Sequence, residues 1–133
     1  MSFRFDLRRG LIIVPTELTG PSGVTVARLA LDTGASKTLV NTATLVSIGY
    51  DPALAPGRSP ITTGSGVAYA ARLPISRIAA LGQKCFDLDI FAHTLPASAK
   101  IDGLLGLDFF RECILTIDFR RGEIALDPRA APG

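Results

Sequence analysis

Asp32, Thr33 and Gly34 follow the apolar run Leu29-Ala30-Leu31, so a strand of buried character ends in a carboxylate, a hydroxyl and a glycine. A carboxylate can serve as a general acid or base. A neighbouring hydroxyl can pack while donating one hydrogen bond, and a glycine permits a close backbone approach. Asp-Thr-Gly is also a good turn tripeptide, in which the Asp side chain closes its own loop. The flanks VTVARLAL and KTLV are those of two apolar strands, which a solvated hairpin turn does not need.

Other chemistries have little to build on. His93 is the only histidine, and Cys85 and Cys113 are the only cysteines, so histidine-based zinc sites and nucleophile–histidine pairs lack donors. The two thiols sit in apolar-rich segments and read as buried and reduced. Asp87, Asp89 and His93 could ligate a metal, but the alternation along CFDLDIFAH predicts a strand with an exposed acidic face. We therefore expect carboxylate chemistry with no metal and no cofactor.

The elements that must carry this acid alternate with a period of two. Phe3, Phe5 and Leu7 interleave with Arg4, Asp6 and Arg8, which predicts a half-buried strand. Residues 11–14 form a short buried run stopped by Pro15, and the turn-rich residues 19–23 join it to a strand at 24–31. Asn41 is placed to cap a short helix at 42–48 that Gly49 and Pro52 end. Residues 56–60 read as a loop. Residues 61–75 read as a second hairpin with Gly64-Ser65-Gly66 at its tip, and 76–80 extend its returning strand. A strand at 85–92, a helix starting over 107–112 and a last hairpin of 113–119 with 123–126 complete the pattern; the tail DPRAAPG reads as frayed or as a linker stub. Many short strands with one or two short helices predict an all-β, closed-barrel domain over residues 1–133, its core at about 11–126.

A chain of 133 residues supports one core, and 47% apolar residues with positive mean hydropathy exclude a disordered chain. That apolar excess suits a core or a subunit interface. A net charge of +2 with no basic block argues against nucleic acid; Arg8-Arg9 and Arg120-Arg121 are only pairs. No apolar stretch approaches the roughly 18–20 residues of a membrane helix, so no membrane partner is expected. MSFRFDLRRG carries charges where a signal peptide places its apolar region, and a soluble cytoplasmic protein is expected.

Three features in order, ALDTGAS, the Gly-rich Thr63-Gly64-Ser65-Gly66 and Gly103-Leu104-Leu105-Gly106-Leu107-Asp108-Phe109-Phe110, resemble those of retropepsin-like aspartic proteases. This is the single-lobed retroviral type, with bacterial and ubiquitin-pathway relatives, and the resemblance spans residues 11–126. It implies an aspartic endopeptidase in which two carboxylates share one water and one proton. The chain has one Asp-Thr-Gly, so the resemblance implies a homodimer that brings Asp32 of each subunit to a two-fold axis. It further implies that Thr33 bonds across that axis and Gly34 lets its N–H reach the carboxylate. Leu104, Leu105 and Gly106 would pack behind the loop, and a flap at Thr63, Gly64, Ser65 and Gly66 would close over an extended peptide. Tyr69, near the flap, reads as a half-buried strand residue. Ala35 stands where pepsin-like motifs carry a hydroxyl, which implies an activity optimum in the mildly acidic to near-neutral range. Leu107 replaces the retroviral Arg and matches the bacterial and ubiquitin-pathway pattern; either residues 3–7 or residues 123–126 build the interface. The alternative is a module that keeps the fold and binds peptide without cleaving it.

Overall fold

The computed structural model describes residues 2–63 and 66–128. In chain order its elements are β1 (Ser2–Arg4), β2 (Ile13–Gly20), β3 (Gly23–Leu31), β4 (Leu39–Asn41), α1 (Thr42–Ser47), β5 (Gly57–Thr63), β6 (Gly66–Ala80), β7 (Gln83–His93), β8 (Gly103–Leu105), α2 (Leu107–Phe110), β9 (Ile114–Asp118) and β10 (Glu123–Asp127). Strands β2, β3, β8, β4, β7 and β6 are hydrogen-bonded in that order, and β6 pairs back onto β2, which closes a mixed barrel. The Arg77 guanidinium pairs with the Glu17 carboxylate across that closure. β5 hangs on the outer edge of β6, and β1, β10 and β9 form a separate antiparallel sheet. Among the described residues, no helix is long and apolar enough to cross a membrane.

Leu18, Leu29, Leu45, Ile75, Ile78, Ile90 and Leu105 are fully enclosed in the barrel interior. Each such side chain contributes about 1.5–3 kcal/mol relative to exposure, which is why alternation dominates the strands. Phe109 joins them from α2, meeting Phe110 edge-to-face at 5.3 Å between ring centroids.

Several expectations are corrected. Pro15 does not stop the first strand: it lies inside β2, opposite Arg28. The Leu31 N–H bonds the Ile12 carbonyl, so by alternation Pro15 falls in a non-hydrogen-bonded pair and its missing N–H costs β3 no ladder bond. Residues 57–60 are strand rather than loop, because β5 is an edge and tolerates Pro60. The N-terminal strand ends at Arg4, before the predicted residue 7. Asp6 turns the chain by accepting the Arg8 N–H at 2.9 Å, and that bond, with the neighbouring arginine charges, holds its carboxyl below the ordinary value. Asn41 precedes α1 but makes no side-chain cap; its Oδ1 accepts the Leu95 N–H at 3.3 Å instead. The helix after Gly106 is a single turn, Leu107–Phe110, rather than 107–112. Tyr69 is exposed (69%), not half-buried, and Cys113 is half-buried, its thiol donating to Gln83 Oε1 at 3.0 Å.

The three-residue strand β8 is tightly constrained. A Cβ at Gly103 of β8 would lie 2.0 Å from the Leu39 carbonyl oxygen and 3.0 Å from Val40 Cα, both backbone atoms that cannot rotate aside. Gly103→Ala is expected to lower stability by at least about 3 kcal/mol, read from the urea midpoint. An unchanged midpoint contradicts the close approach.

Candidate active site

The loop of residues 32–38 joins β3 to β4, and the two strands are not neighbours. β8 lies between them, parallel to β3 (Leu29↔Gly103, Ala30↔Leu104, Leu31↔Leu105) and antiparallel to β4 (Leu39↔Leu104, Val40↔Gly103). The loop must therefore step over the end of β8, and β8 fixes both of its roots. The Asp32 N–H bonds the Leu105 carbonyl at 3.0 Å, extending the parallel ladder by one residue. Beyond that point the chain curls on itself. The Gly34 N–H donates to Asp32 Oδ1 at 2.9 Å, and the Ala35 N–H donates to the Asp32 carbonyl at 3.2 Å. A Cβ at Gly34 would come within 3.1 Å of Oδ1, so a side chain there crowds the carboxylate.

A second clamp holds the far side of the loop. Thr38 is fully buried; its N–H lies 2.9 Å from both Asp108 carboxylate oxygens, and its hydroxyl donates to Oδ1 at 2.8 Å. The same Oδ1 accepts the Phe109 N–H at 2.9 Å, while Thr38 Oγ1 accepts the Gly106 N–H at 3.1 Å. The Leu107 N–H bonds the Ala35 carbonyl at 2.8 Å. Gly106 is enclosed by this contact: a Cβ there would lie 2.7 Å from the Lys37 carbonyl carbon and 2.8 Å from Ala35 O. Hydrogen bonds to a charged acceptor are each worth about 1.5–3 kcal/mol, so this network outweighs any one surface contact.

Asp32 opens onto a groove of about 460 Å³ whose wall includes Ala35, Leu39, Ile61, Phe91 and Leu104. Asp32 is half-buried, and it is the only carboxylate on that wall among the described residues. Three further acids are engaged elsewhere. Asp102 accepts the Arg28 N–H at 2.8 Å, Asp118 accepts the Arg120 and Arg121 N–H groups at 2.9 Å, and Asp108 is taken up by Thr38.

A family model described as Aspartyl protease matches residues 14–109. The chain belongs to the aspartyl protease family. Its fold is retropepsin-like: it superposes with a TM-score of 0.72 on the crystal structure of a retropepsin-like aspartic protease from Rickettsia conorii, at 18% identity, covering 95% of this chain and 88% of that one. None of the curated protein sequences matches the chain.

In this member of the family Leu105 and Gly106 are buried behind the Asp32 loop, while Leu104, expected in the same backing, reaches the groove wall. Thr33 is exposed, and its hydroxyl has no hydrogen-bond partner among the described residues. Thr63 pairs with Gly66 at the end of the β5–β6 hairpin, and Pro60, Ile61 and Thr62 of β5 border the groove; Gly64 and Ser65 lie outside the described residues. Sequence reasoning missed the Thr38–Asp108 clamp, assigning Asp108 only to a helix. The available signal was Thr38 itself, a hydroxyl inside the apolar run KTLV, since a buried polar residue needs a partner.

Asp108→Ala leaves the buried Thr38 N–H and O–H unpaired and is expected to cost about 3–5 kcal/mol in urea unfolding. Asp108→Asn keeps one acceptor oxygen and is expected to cost clearly less. Equal losses for the two variants contradict the hydrogen-bond account and leave only volume.

Proposed function

We propose that the protein is an aspartic endopeptidase that acts as a homodimer on extended peptides. The observation that carries this reading is the solitary Asp32 carboxylate, held at a groove by the Leu105 and Gly34 contacts, with Asp102, Asp108 and Asp118 each committed to backbone N–H groups. Hydrolysis by a carboxylate pair needs a second acid about 3 Å away, and the described residues offer none at the groove. A second copy related by a two-fold axis supplies it. One carboxylate, ionised, takes a proton from the bound water; the water oxygen attacks the scissile carbonyl, and the other, protonated carboxyl gives its proton to the carbonyl oxygen.

The remaining parts serve that step. Thr33, exposed and unpartnered within the described residues, reaches across the axis to the facing loop and keeps the carboxylates coplanar. The hairpin of β5 and β6 closes over the peptide, which lies extended and adds its backbone to strand edges at the groove. Leu39, Ile61, Phe91 and Leu104 receive apolar side chains.

Peptide-library cleavage tests the reading. Wild type is expected to cleave, and Asp32→Asn, folded by circular dichroism, is expected to lose at least about 10³-fold in kcat/KM. Specific activity is expected to fall on dilution in step with the dimer fraction seen by sedimentation. Activity that survives Asp32→Asn, or a strict monomer that cleaves, overturns the proposal. The pH profile of kcat/KM is expected to peak in the mildly acidic to near-neutral range, because Ala35 offers the carboxylates no hydroxyl; a peak near about pH 2–3 contradicts this.

A further inference from the structure

The groove beside Asp32 also carries a positive charge. Lys37, on the same loop, is the only cation on its wall among the described residues. Its ammonium lies 3.7 Å from Asp89 Oδ2 and 3.4 Å from the Asp89 carbonyl oxygen, and 6.0 Å from the centroid of Phe91, which also lines the groove. Asp89 is not Lys37's own counter-ion, however. Arg72 Nε holds the same Oδ2 at the shorter distance of 3.1 Å, and its guanidinium is further tied to Ser59 Oγ at 3.1 Å. The register explains the cluster: Arg72 of β6 stands opposite Phe91 of β7, and Asp89 lies two residues before Phe91, so all three project from one face of the sheet. Two cations thus share one carboxylate, which leaves the Lys37–Arg72–Asp89 cluster with one positive charge in excess.

Lys37 is the member of the cluster free to use that excess. Its side chain is about one-third exposed (34%), and a pair at 3.7 Å in that setting is a weak tie that an incoming carboxylate can share or replace. The Phe91 ring supports the ammonium at the groove wall. In the proposed dimer the two Asp32 carboxylates hold one negative charge between them, fewer than the two Lys37 residues the dimer brings.

We infer that Lys37 is a specificity-determining residue that makes the groove select peptides with a Glu or Asp side chain close to the scissile bond. This rests on the reading of Asp32 as the reacting carboxylate, and the test separates the two. Matched peptides carrying Glu, Gln or Lys at each position flanking a cleavable apolar pair are measured for binding to Asp32→Asn at low and high salt. The same set is then measured for cleavage by wild type. At one position on either side of the bond, Glu is expected to bind about fivefold tighter than Gln, and Lys weaker than both, with the gap narrowing in high salt. Added to the Asp32→Asn background, Lys37→Gln is expected to abolish the gap, Lys37→Arg to keep it, and Lys37→Glu to reverse it in favour of the Lys peptide. A Glu preference that is absent at every position, or that survives Lys37→Glu, overturns the inference even if wild type cleaves every peptide. A Glu preference that reverses with Lys37→Glu, in a wild type that cleaves nothing, upholds Lys37 and overturns the protease reading instead. Absence of binding by all peptides overturns both.

Discussion

The site depends on one topological constraint: a three-residue strand is wedged between the two strands that the Asp32 loop connects. β8 is parallel to β3 and antiparallel to β4, so it uses both of its edges to hold the two roots of the loop. The loop cannot slide along either root without breaking a ladder in a buried sheet, where register slips reverse every side chain. Gly103 makes the wedge possible, since its lack of a side chain lets β8 approach the Leu39 carbonyl. Asp32 is then the first residue past the ladder, its N–H still tied to Leu105 and its side chain already free of the core.

The second consequence concerns the shape of the loop between its roots. Short loops of this kind are ordinarily the softest parts of a barrel. Here the Thr38–Asp108 network and the Leu107–Ala35 bond attach the loop to the turn of α2, and the Phe109 and Phe110 rings of that turn are buried in the core. Core packing is thereby transmitted to the loop through hydrogen bonds rather than through loop contacts alone. Such positioning is what carboxylate chemistry demands, because proton transfer falls off steeply with misplacement.

Much of this was legible in the residues, and what was not has a physical cause. Strands β3, β6, β7 and β10 announce themselves by alternation, because each presents one face to the barrel or the small sheet and the other to solvent. β8 does not, since three residues are too few to show a period, and its three-residue neighbour β4 is equally short. The prolines misled in both strands that contain them early, at Pro15 and Pro60, because whether a missing N–H matters depends on which side of the strand has a neighbour. That is a tertiary fact. Asp32 stood out because its flanks are apolar; Asp108 did not, although the two lie within one connected network. The pairing of Thr38 with Asp108, like the meeting of Lys37, Asp89 and Arg72, joins residues far apart in the chain. Single-sequence pattern carries no signal for such contacts beyond the oddity of a hydroxyl in an apolar run.

The two carboxylates of the loop network also show how one chain separates a structural acid from an available one. Asp108 receives the N–H and O–H of Thr38 and the N–H of Phe109, so most of its acceptor capacity is filled by donors that cannot leave. A carboxylate saturated in this way serves as an anchor for the loop, with little acceptor capacity left for water or substrate. Asp32 has a single side-chain donor, the Gly34 N–H, and borders open groove. Its remaining lone pairs are uncommitted within the described residues, which is what a group needs if it is to bind a water and exchange a proton with it. The difference arises from where each acid sits relative to the wedge. Asp108 lies in the turn that follows β8, facing the buried Thr38, whereas Asp32 lies one residue past the end of β3, where the ladder has just run out of partners to offer.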